Sequence, residues 1–199
     1  RLWRDDNTPL ALLALANVAL HLLVANNYGY FRDELYYLQD GKHLAFGYVD
    51  QAPLIGWLAA LTNLLFHDAL FGIHIIPALA GGCLVFVAGL LARELGGGRF
   101  AQILTALATL LTPTFLATAS IFSMDILDAL FWTLGAYVII RLLKRDDPRL
   151  WLVFGAVAGV SLLNKFTILF FGLGIVVGFL LTPQRKQFLT RWPWLGGLI

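Results

Sequence analysis

The chain has 199 residues, of which 59% are hydrophobic and 13% charged, and its formal net charge is +2. Soluble domains average about 45–50% apolar and about 25% charged residues, so this composition, with a mean hydropathy of +0.78, excludes an ordinary water-soluble domain. The small net charge also argues against a nucleic-acid partner. We therefore predict an all-α fold, a polytopic transmembrane helical bundle.

Long apolar runs recur along the whole chain. A helix of about 20 apolar residues crosses the hydrocarbon core of a bilayer. The predicted transmembrane helices cover residues of about 9–27, 72–92, 100–119, 124–143, 150–163 and 167–182, and a seventh begins near residue 193. Because the sequence begins without Met and stops inside that last run, we expect residues 1–199 to form one truncated transmembrane domain.

Residues 52–66 are apolar but too short for a typical span, so they form either a short span or a helix lying at the interface. Basic residues concentrate in short cytoplasmic loops. If the segment does not span, eleven of the 14 Lys and Arg residues lie inside: Arg1, Arg4, Arg93, Arg99, Arg141, Lys144, Arg145, Arg149, Arg185, Lys186 and Arg191. This favours the interfacial helix, a cytoplasmic N terminus and a long external loop at 28–71 that contains short interfacial helices.

The densest polar group in that loop is the run Arg32-Asp33-Glu34, which follows the first predicted helix closely. A carboxylate at an apolar boundary is partly desolvated, and this favours proton uptake from a hydroxyl. A solvated acid that caps the next helix explains Asp33 equally well. Tyr36, in the same segment, is a candidate substrate-binding side chain.

A second polar group, Asp50-Gln51, precedes Pro53, a residue suited to the first turn of a helix. The N-terminal end of a helix attracts anions such as a lipid phosphate. Asp68 and the other acids of the loop add to an external face rich in carboxylates.

Two acids, Asp125 and Asp128, lie within the apolar run 121–140. An ionised carboxylate inside a membrane costs several kcal/mol unless it faces protein or water, so such residues are functional candidates, and Asp125 is nearer the external end. Lys165 follows a short span on the same side, where it is either functional or an interfacial side chain that reaches water.

The histidines show no metal-ligand spacing. No metal site is therefore predicted from this stretch, and a divalent cation is left open as the one cofactor. The four residues are His21, His43, His67 and His74.

The ordered set of an Asp-Glu pair, an Asp-x-x-Pro-Leu stretch, an Asp that opens a later helix and a Lys after a short span resembles a known family. It is similar to the dolichyl-phosphate-mannose protein mannosyltransferase superfamily, which has the GT-C fold, and in particular to the bacterial Rgt-type and aminoarabinose transferases. The resemblance runs from residue 28 to about residue 183. Where this chain has Asp50-Gln51-Ala52-Pro53, the wider family often has Glu-Lys-Pro-Pro or Asp-His-Pro-Pro.

The resemblance implies a glycosyltransferase of the inner membrane with an extracytoplasmic active site. Its donor would be a polyprenyl-phosphate-linked sugar, its acceptor a lipid, glycan or protein, and its mechanism inverting. It implies that Asp33 is the catalytic base, with Glu34 as support or alternative, and that Asp125 orients that site. Lys165 would line the donor phosphate cavity, and Arg32, Lys42 and Gln51 are further phosphate candidates. Because family members are longer, the isolated fragment is expected to lack part of its site.

Two other functions remain open from the sequence. Buried acids at Asp125 and Asp128, with an interrupted helix near Asn164, would also suit a secondary transporter. Such a transporter would be expected to contain inverted repeats, and the sequence shows no internal self-similarity. A membrane assembly subunit without catalytic activity is the third interpretation, and it would tolerate Asp33→Asn.

Overall fold

A computed structural model describes residues 7–67, 69–145 and 147–199 of the chain. Arg1, Arg4 and Asp68, on which some of the charge arguments rested, lie outside the described residues. Every regular element within the described ranges is helical, and none is a strand. The predicted all-α fold is confirmed.

The helices follow the apolar runs of the sequence. They are α1 Thr8–Val24, α2 Arg32–Lys42, α3 Leu54–Phe66, α4 Leu70–Glu94, α5 Arg99–Leu111, α6 Pro113–Thr118, α7 Met124–Arg145, α8 Leu150–Asn164, α9 Ile168–Leu180, a 3₁₀ helix Pro183–Leu189, and α10 Trp192–Gly196. The loop predicted at 28–71 thus contains two helices, α2 and α3, which pack on each other and on the bundle.

Among the described residues, two helices are long and apolar enough to cross a membrane by themselves. These are α4 with 25 residues and α7 with 22 residues. A third crossing is possible if α9 and the 3₁₀ helix, which are bent by 110°, form one broken span. Large apolar side chains on the outer faces of the bundle remain exposed, Leu23 of α1 at 81% and Phe170 of α9 at 73% among them. Exposed apolar surface of this extent suits contact with lipid.

One prediction about the helices was wrong: residues 100–119 do not form a single helix. The chain breaks at Thr112, whose φ of −64° and ψ of 120° are extended, and Pro113 starts α6. Proline lacks a backbone N–H, and its ring crowds the preceding residue out of the helical conformation. The break therefore follows directly from the Thr112-Pro113 step.

The long helix α4 is the centre of the bundle and packs against α1, α3, α5 and α7. Glycines bring α1 and α4 close together: a Cβ added at Gly82 would lie 2.6 Å from Val18 Cγ2 and 3.0 Å from the Ala14 carbonyl oxygen. Small residues allow this close approach of helix backbones in membranes.

We expect Gly82→Val to lower the thermal unfolding midpoint of the detergent-purified protein, because the added side chain overpacks the contact between α1 and α4 at a cost of about 1–3 kcal/mol. Gly172→Val is the matched control, since a Cβ at Gly172 in α9 meets nothing within 4 Å. Equal midpoints for the two variants would contradict this account of the packing.

The two ends of the bundle differ in charge. At one end Glu94 lies 3.7 Å from both Arg141 and Arg145, and its backbone carbonyl accepts a hydrogen bond from Lys144. Arg93, beside it, donates to Asn7 at 2.8 Å. The start of α1 and the C-terminal ends of α4 and α7 therefore meet at a basic end, and the remaining acids of interest lie at the opposite, acidic end.

Candidate active site

Asp33 and Glu34, adjacent residues in the first turn of α2, differ in their hydrogen-bond partners and exposure. Glu34 Oε2 accepts the backbone N–H of Phe31 at 2.8 Å, a contact that closes the start of the helix. The side chain of Glu34 is 1% exposed, whereas that of Asp33 is 40% exposed and lies 2.9 Å from Arg32 Nε. Adjacent carboxylates thus have different surroundings, and Asp33 is the one that a substrate can reach.

Glu34 is held by donors on both oxygens. Its Oε1 accepts the backbone N–H of Phe122 at 2.7 Å and lies 2.9 Å from His74 Nε2. The other ring nitrogen, His74 Nδ1, is 3.0 Å from the carbonyl oxygen of Ala25. These contacts suit a carboxylate that holds the structure together better than one that exchanges protons with a substrate.

Asp125 and Lys165 meet at the acidic end. Lys165 Nζ lies 2.7 Å from Asp125 Oδ1, and the two side chains are 37% and 54% exposed. Asn164 donates from Nδ2 to the carbonyl oxygen of Met124 at 3.0 Å, and this bond fixes the end of α8 to the start of α7. The ammonium group is therefore held beside the carboxylate by the helices as well as by charge.

Tyr36 and Asp50 form a contact across the external segment. The Tyr36 hydroxyl donates to Asp50 Oδ1 at 2.8 Å, and this hydrogen bond raises the pKa of Tyr36 above its usual value. The bond holds the stretch before α3 against α2. Burial and the nearby charge of Asp50 likewise raise the pKa of Asp40, one turn further along α2.

Tyr37, the residue after Tyr36 in α2, is buried. It is 7% exposed and packs against Phe122, with ring centroids 6.3 Å apart. Burial, and then the charges of Asp33, Asp125, Asp50 and Asp40, raise the pKa of Tyr37 to about 12. The phenol therefore stays protonated at neutral pH, and its contact with Phe122 packs α2 against the segment that leads into α7.

Three cavities of the described residues lie at this end of the bundle, and one of them, of about 350 Å³, is lined by Glu34 and His74. The other two are grooves. One, of about 770 Å³, runs between the segment at 46–53, with Asp50 and Gln51, and the apolar residues Leu162, Leu163, Phe166 and Leu169. The other, of about 390 Å³, lies between α6 and α7 and is lined by Asp125, Asp128 and Trp132. Asp128 accepts a hydrogen bond from Thr167 at 2.6 Å.

The other predicted cations are placed less favourably. The Arg32 side chain is 89% exposed and points to Asp33, and Lys42 ends α2 at the turn furthest from Asp33. Lys165 is thus the predicted cation that lies against Asp125, whereas Arg32 lies against Asp33. Within residues 7–67, 69–145 and 147–199, no three His, Cys, Asp or Glu side chains are grouped so as to hold a metal ion.

Sequence reasoning passed over His74 and Tyr37. His74 could have been found, because an ionisable side chain inside an apolar helix is a functional candidate by default. Tyr37 gave no such signal, since aromatic residues are common near membrane interfaces.

A sequence profile for dolichyl-phosphate-mannose-protein mannosyltransferases matches residues 50–199, three quarters of the chain. The chain belongs to the dolichyl-phosphate-mannose-protein mannosyltransferase family. The region that matches this mannosyltransferase profile contains Asp50, Gln51, Asp125 and Lys165, and it starts after Asp33 and Glu34.

A curated relative of this mannosyltransferase-family chain is the lipid A galacturonosyltransferase RgtD of Rhizobium johnstonii. The two are 26% identical over 158 residues, which cover 79% of this chain and 33% of the relative. The chain thus spans about a third of the length of the curated relative that it matches. No solved structure matches it.

Proposed function

We propose that this chain carries the catalytic residues of a membrane glycosyltransferase that moves a sugar from a polyprenyl-phosphate donor to an acceptor outside the cytoplasm. The observation that carries the proposal is the hydrogen bond from the Phe122 N–H to Glu34 at 2.7 Å, which joins the residue after Asp33 to the segment before α7, where Asp125 pairs with Lys165. Residues far apart in sequence thus supply a base and a cation to one region, and membership of the mannosyltransferase family supports that use.

In the proposed reaction the acceptor hydroxyl attacks the anomeric carbon of the sugar, and Asp33 takes the hydroxyl proton. The bond between the anomeric carbon and the phosphate oxygen breaks, and its electron pair leaves with the phosphate. Attack from the face opposite the leaving group inverts the anomeric configuration. Because Asp33 is 40% exposed, an acceptor can approach it directly.

Lys165 serves the departing phosphate in this scheme. An ammonium group has three donors, and Lys165 commits one of them to Asp125 at 2.7 Å while 37% of its side chain stays exposed. A cation held in place before the reaction stabilises the charge that develops on the leaving group. Asp125 therefore orients the cation, and the Gln51 amide adds a neutral hydrogen-bond donor.

The 770 Å³ groove is the proposed binding site of the polyprenyl chain. Its α8 and α9 side is made of Leu162, Leu163, Phe166 and Leu169, and its other side carries Asp50 and Gln51. Asp50 accepts a hydrogen bond from the Tyr36 hydroxyl. We therefore propose that Asp50 and Tyr36 shape the groove and that Gln51 and Lys165 contact the phosphate. An apolar trough with a polar edge suits an isoprenoid with a charged head.

The charge asymmetry supports the orientation in the inner membrane. Arg93, Arg141, Lys144 and Arg145 gather at the end opposite Asp33, and basic ends face the cytoplasm. The acidic end with Asp33 then lies outside. The name of the relative, a lipid A galacturonosyltransferase, favours a glycolipid among the lipid, glycan and protein acceptors.

The test uses the full-length protein in lipid nanodiscs, supplied either with a polyprenyl-phosphate-linked sugar or with the matching nucleotide sugar, and with a lipid A type acceptor. We expect transfer only from the lipid-linked donor, and we expect the product to have the opposite anomeric configuration by NMR. Transfer from the nucleotide sugar alone, or a product with retained configuration, would overturn the proposed donor or mechanism.

A further inference from the structure

His74 is a buried histidine that no step of the proposed reaction uses. It lies in the first turns of α4 and is 5% exposed. Both of its ring nitrogens face oxygen atoms: Nδ1 is 3.0 Å from the Ala25 carbonyl, and Nε2 is 2.9 Å from Glu34 Oε1. A carbonyl oxygen only accepts hydrogen bonds, so Nδ1 carries a proton.

Glu34 has partners beside His74. Its two oxygens accept backbone N–H groups from Phe31 at 2.8 Å and Phe122 at 2.7 Å. His74 and Glu34 therefore form a buried hydrogen-bonded pair, and each of them also contacts the backbone of another segment.

The His74 and Glu34 pair joins four separate segments of the chain. Ala25 follows α1, Phe31 and Glu34 belong to the start of α2, His74 belongs to α4, and Phe122 belongs to the connection before α7. Two of these segments carry reacting groups in the proposed mechanism. Asp33 is the residue before Glu34, and Asp125 begins α7 shortly after Phe122.

We propose that His74 is a positioning residue that, through Glu34, sets the separation between the Asp33 carboxylate and the Asp125 and Lys165 pair. This role rests on the proposed function of Asp33 and Lys165. In this role the pair holds the start of α2 against the segment before α7, so that base and cation face the same sugar. A misplacement of about 1 Å between reacting groups can lower a rate by about 100-fold.

The experiment compares full-length wild type with His74→Leu and His74→Gln. Hydrogen exchange of the backbone amides at 119–123 reports on the contact between Glu34 and Phe122 without any need for catalysis. We expect exchange of the Phe122 amide to be at least about tenfold faster in His74→Leu, and kcat to fall by about 100-fold with KM changed by less than about threefold. His74→Gln keeps one side-chain donor for Glu34, so its Phe122 exchange and its kcat are expected to lie between those of wild type and His74→Leu.

Gln102→Leu is the control, because Gln102 is equally buried, at 3% exposed, and its amide donates to the Gly97 carbonyl at the basic end. Its exchange at 119–123 and its kcat should match wild type. Unchanged exchange of the Phe122 amide in folded His74→Leu would overturn the proposal, and so would a kcat within about twofold of wild type. If His74→Leu does not fold, the same two measurements on His74→Gln decide. If wild type transfers no sugar but exchange accelerates in the variants, the link between segments stands and the proposed function fails.

Discussion

Asp33→Asn in the full-length protein is expected to lower kcat for sugar transfer by about 1000-fold while leaving expression and membrane insertion unchanged. Asparagine keeps the shape of the side chain but cannot take up the acceptor proton, and a positioned base contributes about 10²–10⁴-fold. The substitution also removes the contact with Arg32, but that side chain is 89% exposed. Pairs of this kind contribute at most about 1 kcal/mol to stability.

The measurement is single-turnover transfer from a polyprenyl-phosphate sugar, with melting in detergent as the check on folding. Asp147→Asn is the control: Asp147 accepts the Arg149 backbone N–H at 3.1 Å and lies just before α8, at the end of the bundle opposite Asp33. Near-normal turnover by the Asp33 variant would remove Asp33 from the mechanism and would require another group to take up the acceptor proton.

Lys165→Met is expected to lower kcat/KM for the lipid-linked donor by about 100-fold or more, because removal of one preorganised group that stabilises developing charge costs about 10²–10³. The unfolding midpoint should hardly move. The ion pair with Asp125 is 37% and 54% exposed on its two sides, and exposed pairs contribute about 1 kcal/mol or less. Activity and stability should therefore separate cleanly in this variant.

Lys165→Arg keeps the charge and should retain more activity than the Met variant. Lys186→Met is the control for general loss of positive charge, since Lys186 is an exposed residue of the 3₁₀ helix Pro183–Leu189. If Lys165→Met lost stability and activity in proportion, Lys165 would be a structural residue, and the phosphate would need another partner.

The sequence predicted the broad architecture because apolar runs and their breaks are local signals. The starts of α7 and α8 fall at the predicted residues, and the Thr112-Pro113 step accounts for the one helix that was wrongly merged. Whether the shorter helices α1, α5, α8 and α9 cross the bilayer remains a prediction, since length and composition single out α4 and α7 as complete spans.

The different surroundings of Asp33, which is exposed, and Glu34, which is buried, could not be predicted. The two acids are adjacent in sequence and identical in charge, and what separates them is a partner 40 residues away, His74, together with the Phe122 amide 88 residues away. The pairing of Asp125 with Lys165 similarly spans 40 residues. Such contacts depend on how the helices pack, which apolar periodicity does not reveal.

The helix α4 is fastened at both of its ends. At one end Glu94 pairs with Arg141 and Arg145 of α7, and its backbone carbonyl accepts a hydrogen bond from Lys144. At the other end His74 contacts Glu34 of α2. Helices α1, α4 and α7 therefore form a stiff frame, whereas α3 meets α8 only along a short seam. For the proposed isoprenoid donor, we therefore expect entry sideways from the lipid at that seam, while the frame that carries Asp125 stays fixed.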